Sequence, residues 1–383
     1  MSQLKVNTIR HTGASSDAVT LATDGTCTAK ITNNLSNRNL IINGGMTINQ
    51  RNGTYTAGDY CLDRYRADET TDGAVSITHS GVVPDGFANS LRVAVTTADT
   101  SLSGTQYADL YQYIEAQNLR QLAYGTSSAK KMTLSFYVRS NKTGNYGVTL
   151  WQNDNSNKQL SLQYTINSAD TWERKTLTIP ADTSGVINND NGKGLTIYWA
   201  LASGTTYTSG SPHTSWTTYA NADLFAGQEV NLMDSTSNDW YITGVQLEVG
   251  DVATDFEHRS YADELARCMR YFELLTYNST TNLNARKPLF GNGPNSTLWY
   301  PTYKVVKRTE PSLVTENFDA DTVDVHNYQT NAGVTFSAVS ASEGDEYSGQ
   351  INIDTTGGVS LGDIVSWRWT SSETAWIGVS AEL

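Results

Sequence analysis

"KMTLSFYVRS", residues 131–140, is the stretch on which the fold turns. Met132, Leu134, Phe136 and Val138 alternate with Thr133, Ser135, Tyr137 and Arg139. A period of two belongs to a strand with one buried face. The same parity holds in "YGVTLWQ" (146–152), with Tyr146, Val148 and Leu150 inward and Trp151 outward. In "LTIYWALA" (195–202), Leu195, Ile197, Trp199 and Leu201 go in and Tyr198 goes out. Further strands are expected at "NLIING" (39–44), "AVSITHS" (74–80), "SLRVAVT" (90–96), "DLYQYIE" (109–115), "LSLQYTI" (160–166), "ERKTLTIP" (173–180) and "WYITGVQLEV" (240–249). About ten strands over roughly 220 residues, with no helices alternating between them, predict a β-sandwich or jelly roll.

The composition agrees. The 383 residues include 30 Gly, 21 Tyr and 9 Trp but only 7 Pro, and 17% are charged, as in an all-β protein rich in turns. A net charge of −13 argues against nucleic acid and against docking on anionic lipid. Cys27, Cys61 and Cys268 are scattered, giving no disulfide framework and no zinc spacing. The opening "MSQLKVNTIRHTG" has no apolar core of a signal peptide, and no stretch is long and apolar enough to span a membrane. Synthesis in a cytoplasm is expected.

Four parts are expected along the chain. Residues 1–38 hold short strands around an Asp24-Gly25 turn but too few apolar residues to fold alone, so they pair with copies or with another protein. Residues 39–258 form the sandwich. Residues 259–275 carry one helix: Tyr261, Leu265, Cys268, Met269 and Phe272 recur at helical spacing, with Ser260 and Asp263 as an N-cap signal. Residues 276–383 form a smaller β-domain, with strands such as "TVDVHNYQ", "QINIDT" and "IVSWRW".

Five stretches together carry a resemblance: "NLIINGGMTINQR" (39–51), "LDRYR" (62–66), "YIEAQNLRQLAYGTSSAKKMTLSFYVRSNKTGNYGVTL" (113–150), "ITGVQLEVGDVATDFEHRSYADELARCMRYFE" (242–273) and "GVSAEL" (378–383). In this order the chain resembles tail-fibre and virion fibre proteins of bacteriophages, and its start resembles fibre proteins of marine phages such as cyanophages. The resemblance implies a carbohydrate-binding-module-like jelly roll in a homotrimeric fibre. Residues 1–38 would attach it to a tail or capsid protein of the virion, and its β-domains would meet host-surface glycans. A capsid or tail decoration protein without a receptor role is the alternative, and a glycan depolymerase a further one. Modules of this kind often hold a structural calcium, for which no ligands are assigned; "NNDNGKG" (188–194) offers oxygen donors but reads equally as a turn.

No residue pattern marks an enzyme. None of the five histidines, His11, His79, His213, His258 and His326, lies in a catalytic motif. The carboxylate pairs Asp68/Glu69 and Asp251/Asp255 and the cluster Glu343/Asp345/Glu346 lack a distinctive setting. A sugar ring stacks its C–H face on an aromatic side chain. Strand parity therefore nominates Tyr137, Trp151 and Tyr198 as a candidate glycan platform, unless a loop, sheet or subunit covers them. Trp367 and Trp369 are candidates in the distal domain, where for a domain of this size the reading as small-core anchors comes first.

Overall fold

A computed structural model describes residues 6–383 apart from 11, 16, 24, 26, 30–36, 155–156, 278–285, 317, 320–322 and 370–374. Asp24 of the expected first turn thus lies outside the described residues. Thr8–Ile9 (β1), Val19–Leu21 (β2) and Cys27–Ala29 (β3) form a three-stranded antiparallel sheet. None of the described side chains between residues 6 and 38 is buried, and Ile9 and Leu21 are exposed.

Twelve strands follow: Tyr60–Leu62 (β4), Tyr65–Glu69 (β5), Ala74–Ser80 (β6), Ser90–Thr97 (β7), Tyr107–Glu115 (β8), Met132–Ser140 (β9), Gly144–Gln152 (β10), Lys158–Ile166 (β11), Glu173–Ile179 (β12), Lys193–Ser203 (β13), Thr217–Thr218 (β14) and Asp239–Val249 (β15). They make a seven-stranded sheet, β14-β11-β10-β13-β8-β5-β4, facing a five-stranded one, β12-β9-β15-β7-β6. All pairings are antiparallel, and the chain crosses repeatedly from sheet to sheet, as in a jelly roll. The expected parity holds on the inner faces. Met132, Leu134, Phe136 and Val138 on β9, and Tyr146, Val148 and Leu150 on β10, are fully buried in one core. Phe136 meets Tyr164 and Trp199 edge-on at 5.1 and 6.0 Å, and Trp240 Nε1 donates to the Tyr164 hydroxyl at 3.1 Å.

"NLIING" is not a strand. Its asparagines hold its backbone instead: Asn39 Nδ2 donates to the Val245 carbonyl at 3.0 Å, and Asn39 Oδ1 accepts from Ile41 and Leu247 amides. This docking needs an irregular β15. Pairing of β15 with β9 shifts register between Thr243 and Gln246, around Gly244 at φ 61°. A Cβ there would sit 2.6 Å from the Phe87 ring and 2.9 Å from the Tyr137 ring, so only glycine fits.

After a single α-helical turn at Thr205–Thr208 (α1), the longer α-helix among the described residues is Tyr261–Met269 (α2). Ser260 caps it, accepting from the Asp263 amide, as expected. The buried face differs from the expected stripe. Glu264 and Cys268 are buried, Tyr261 is exposed and Phe272 already belongs to a strand. The cause is polar: the Glu264 carboxylate accepts from the Asn43 amide and pairs with Arg259, so α2 packs on the turn of its own sandwich.

The remaining strands are Phe272–Tyr277 (β16), Arg286–Gly293 (β17), Ser296–Trp299 (β18), Ser312–Glu316 (β19), Val323–Asn327 (β20), Ala332–Val334 (β21), Phe336–Gly344 (β22), Gly349–Thr355 (β23), Ile364–Trp369 (β24) and Trp376–Ser380 (β25). They form sheets β16-β25-β19 and β21-β20-β24-β17-β18-β23-β22. A buried polar seam joins this unit to the sandwich. Arg270 clamps the Glu115 carboxylate with bonds of 2.6 and 3.0 Å, and the Tyr271 hydroxyl donates to it at 2.7 Å. Burial raises the pKa of Glu115, but the bonds from Arg270 and Tyr271 outweigh it and hold the group ionised. Buried Lys307 donates to Glu273 at 2.5 Å and to the Met269 and Val305 carbonyls. Arg64, in the tight β4–β5 turn at φ 73°, pairs with Glu382 and lies 3.5 Å from the Tyr271 ring.

Candidate functional site

The outer face of the seven-stranded sheet carries a row of aromatic side chains. Register places Trp151 (β10) opposite Thr196, Tyr198 (β13) opposite Tyr111 and Thr196 opposite Tyr113 (β8). Trp151 and Tyr198 are near-parallel with centroids 6.4 Å apart. Tyr198 and Tyr111 follow at 5.2 Å, then Tyr111 and Tyr113 at 5.1 Å. Lys193 Nζ lies 3.7 Å from the Tyr113 centroid, and Arg66 reaches Tyr111 at 5.9 Å. Burial keeps the Tyr198 and Tyr111 phenols protonated far above ordinary pH, so they act as neutral donors.

The segment after β13 covers one end of this face. Tyr219 stacks on Trp151 at 4.7 Å, and Phe225 packs against Tyr198. Backbone carbonyls of Ala220, Asp223 and Leu224 accept from Gln159, Ser161 and Thr149, which burial would otherwise leave unpaired. Trp151 Nε1 donates to Asn157 at 2.9 Å. Trp151, Tyr198 and Tyr113 remain partly exposed, whereas Tyr111 between them is buried.

The three nominated platform residues therefore do not form one platform. All three face outward, but Tyr137 is on β9, in the other sheet. Parity distinguishes the two faces of a strand and says nothing of which sheet the strand joins. Tyr137 instead packs against Phe87 at 5.3 Å, near Arg174. Trp367 is corrected outright: it is fully buried between Phe318 and Trp299, at 5.3 and 6.2 Å, and anchors the distal core. The Trp369 side chain lies outside the described residues. Tyr111 and Tyr113 were missed, although the parity of "DLYQYIE" places them outward. Tyr219 and Phe225 lie in a segment with no periodic signal.

Beside Tyr198, the pairing of β5 with β8 brings Asp68 opposite Asp109. Asp68 accepts from the Tyr111 hydroxyl at 2.8 Å and from Arg66 Nε at 3.3 Å. Asp109 is 3% exposed, and its Oδ1 has no partner among the described residues. Burial first, then the Asp68 charge, push its carboxyl far above the usual carboxylate range. Between that range and the raised value the folded chain binds more protons than the unfolded one, so stability falls as pH rises through this window. Asparagine carries no such penalty. Asp109→Asn should be more stable than wild type by about 1–3 kcal/mol at neutral pH, the gap closing as pH falls into the ordinary carboxylate range. Thermal melts across pH check this; a wild-type melt as high as the variant's at neutral pH would show that Asp109 has a partner.

The "NNDNGKG" stretch includes a turn in which Asp190 Oδ1 accepts from the Gly192 amide at 2.9 Å. Asn188 donates twice to Asp154, and Asn191 exchanges bonds with Arg308. Among the described residues no group of three or more His, Cys, Asp or Glu could hold a metal, and no helix is long and apolar enough to cross a membrane.

No family model matches the chain, and no curated protein matches it. Among solved structures it is similar to the enzymatically active domain of tailspike protein 4 of bacteriophage CBA120, with a TM-score of 0.31 and 13% identity over 56% of this chain and 22% of that one. It is also similar to a CBM4, with a TM-score of 0.26 and 17% identity over 54% of this chain and 98% of that one. A third is the family 11 carbohydrate-binding module of a cellulosomal cellulase of Clostridium thermocellum, with a TM-score of 0.28 and 13% identity over 54% and 98%. The chain spans about a fifth of the tailspike domain and nearly all of the two modules. Scores this low carry no argument; the β-sandwich rests on the strand pairing and core described above.

Proposed function

We propose that the chain is an adhesive fibre protein that binds glycans along the outer face of its seven-stranded sheet, without cleaving them. The observation that carries this reading is the set of partly exposed rings Trp151, Tyr198 and Tyr113 across three strands, linked beneath by the buried Tyr111 and flanked by Lys193 and Arg66. Aromatic surface receives the apolar faces of sugar rings, while phenols and cations take their hydroxyls. A binding rather than cleaving role is supported by the carboxylates beside the row: Asp68 is engaged by Tyr111 and Arg66, and Asp109 is buried. The fibre part of the reading is supported by the N-terminal sheet. With no buried side chain among its described residues, β1–β3 has no core of its own and gains one by self-association or by seating on a virion protein. Three copies on one fibre raise a weak single-site affinity through avidity.

Trp151→Ala is the test. The wild-type chain and the variant should both sediment as trimers, because Trp151 lies far from the N-terminal sheet in sequence and outside the core. Removing the ring should cost about 1–3 kcal/mol of binding to host-surface glycan, by analogy with aromatic stacking on nucleic-acid bases, or about 5- to 150-fold in affinity. Unchanged adsorption by a folded variant overturns the adhesive reading, and a wild-type monomer at micromolar concentration overturns the fibre reading.

A further inference from the structure

A second recess lies over the five-stranded sheet, away from the aromatic row. It measures about 160 Å³ and is formed where the β6–β7 loop, the 43–47 turn and the segment entering α2 converge. Phe87, Phe256 and His258 make a mutual ring cluster, with centroids 5.1, 5.4 and 4.9 Å apart. Phe87 also rests on Tyr137 at 5.3 Å, above the bulge at Gly244. The β15 irregularity that admits residues 39–45 therefore also seats the floor of this recess.

The charged wall is closed on itself except for Arg259 Nε, which has no partner among the described residues. Arg259 pairs with Glu257 and Glu264, and these carboxylates also accept from the Asn39 and Asn43 amides. Three polar groups remain for a ligand, one of them the hydroxyl of Tyr261, which is 60% exposed and makes no hydrogen bond among the described residues. The exposed His258 ring makes no hydrogen bond among the described residues, and Thr47 makes only a long 3.4 Å contact with the Gly45 carbonyl. The volume is about half the lower end of the roughly 300–1,000 Å³ range of drug-sized ligand pockets, which sets the occupant at one ring rather than an oligosaccharide. Aromatic walls, three free hydrogen-bonding groups and a cation already paired with two carboxylates describe a neutral ring with hydroxyls on its edge.

We infer that this recess is a second glycan contact that takes a single neutral pyranose, such as a terminal or branch residue. It stands on different residues from the aromatic row and on the opposite sheet. One chain with both contacts bridges two glycan strands, which the row alone cannot do.

Saturation-transfer NMR on the full chain with methyl glucoside and methyl galactoside, and methyl glucuronide as an anionic comparison, tests the inference. In Trp151→Ala, transfer from at least one neutral glycoside should persist. Adding Phe256→Ala should abolish it; Phe256 lies in a half-exposed loop, and His258→Ala, at an exposed position, is a second variant expected to weaken it. Loss of all transfer in Trp151→Ala alone overturns the second contact and leaves the aromatic row standing. Loss of all transfer in Phe256→Ala alone removes the aromatic row as a monosaccharide site and supports the recess. Transfer that survives both changes, stronger transfer from the glucuronide, or none in the wild type overturns the inference.

Discussion

Glu382→Ala should lower the stability of the chain by about 3–5 kcal/mol, the usual cost of leaving one member of a buried ion pair alone. Its partner Arg64 has only 1% of its side chain exposed, and Glu382 only 4%. Arg64 is pinned elsewhere too, donating to the Tyr113 carbonyl at 2.6 Å and stacking on Tyr271. It therefore cannot swing into water when its carboxylate is removed. Burial disfavours its charge, but Glu382 more than compensates and keeps it protonated. Arg51 stands 3.7 Å from the same carboxylate and loses a partner as well. Glu382→Gln retains an acceptor of the same shape and should fall between wild type and alanine. Urea midpoints of the three proteins give the order; an alanine variant with the wild-type midpoint would mean that Arg64 reaches solvent.

Trp199→Ala should cost a similar amount, about 3–5 kcal/mol, through the cavity it opens. Trp199 is fully buried on β13, edge-on to Phe136 at 6.0 Å. Tyr198, one position earlier, points to the opposite face. Trp199→Phe keeps most of the apolar volume and removes an indole N–H that has no partner among the described residues, so it should cost much less. Denaturant melts separate this pair, and glycan binding by the folded fraction should be unchanged. If Trp199→Ala folds normally but loses glycan, the two faces of β13 have been assigned the wrong way round.

These two residues also show how much was legible beforehand. Trp199 and Tyr198 differ by one step of a period-two pattern, and that pattern alone assigned inside and outside correctly on β9, β10 and β13. Tyr111 and Tyr113 obey the same rule. Contacts that depend on which strands become neighbours were not legible. Asp68 meets Asp109, Trp151 meets Tyr219 and Glu115 meets Arg270 only after the sheets are assembled. Tyr137 fell in the wrong sheet for the same reason. "NLIING" misled because its apolar run reads as a strand, whereas Asn39 and Asn43 turn its hydrogen bonds onto their own side chains. Trp367 shows the limit of clustering as a signal: three tryptophans near the end fit a tip patch or a core, and a small domain spends its largest rings on its core first, as the burial of Trp367 shows.

The Arg64–Glu382 pair spans 318 positions, and this fixes a sequence of events during synthesis. Strand β15 completes the set of strands in both sandwich sheets at Val249. At about 5–20 residues per second, the roughly 130 residues that follow take on the order of ten seconds to be made. Throughout that interval the β4–β5 turn has a cation and no counter-ion. Strand β4 is also the edge of its sheet, and its three residues are buried once the chain is complete. The β4 edge is therefore the part of the sandwich whose ion pair is completed last, by a residue made after every strand of both sheets.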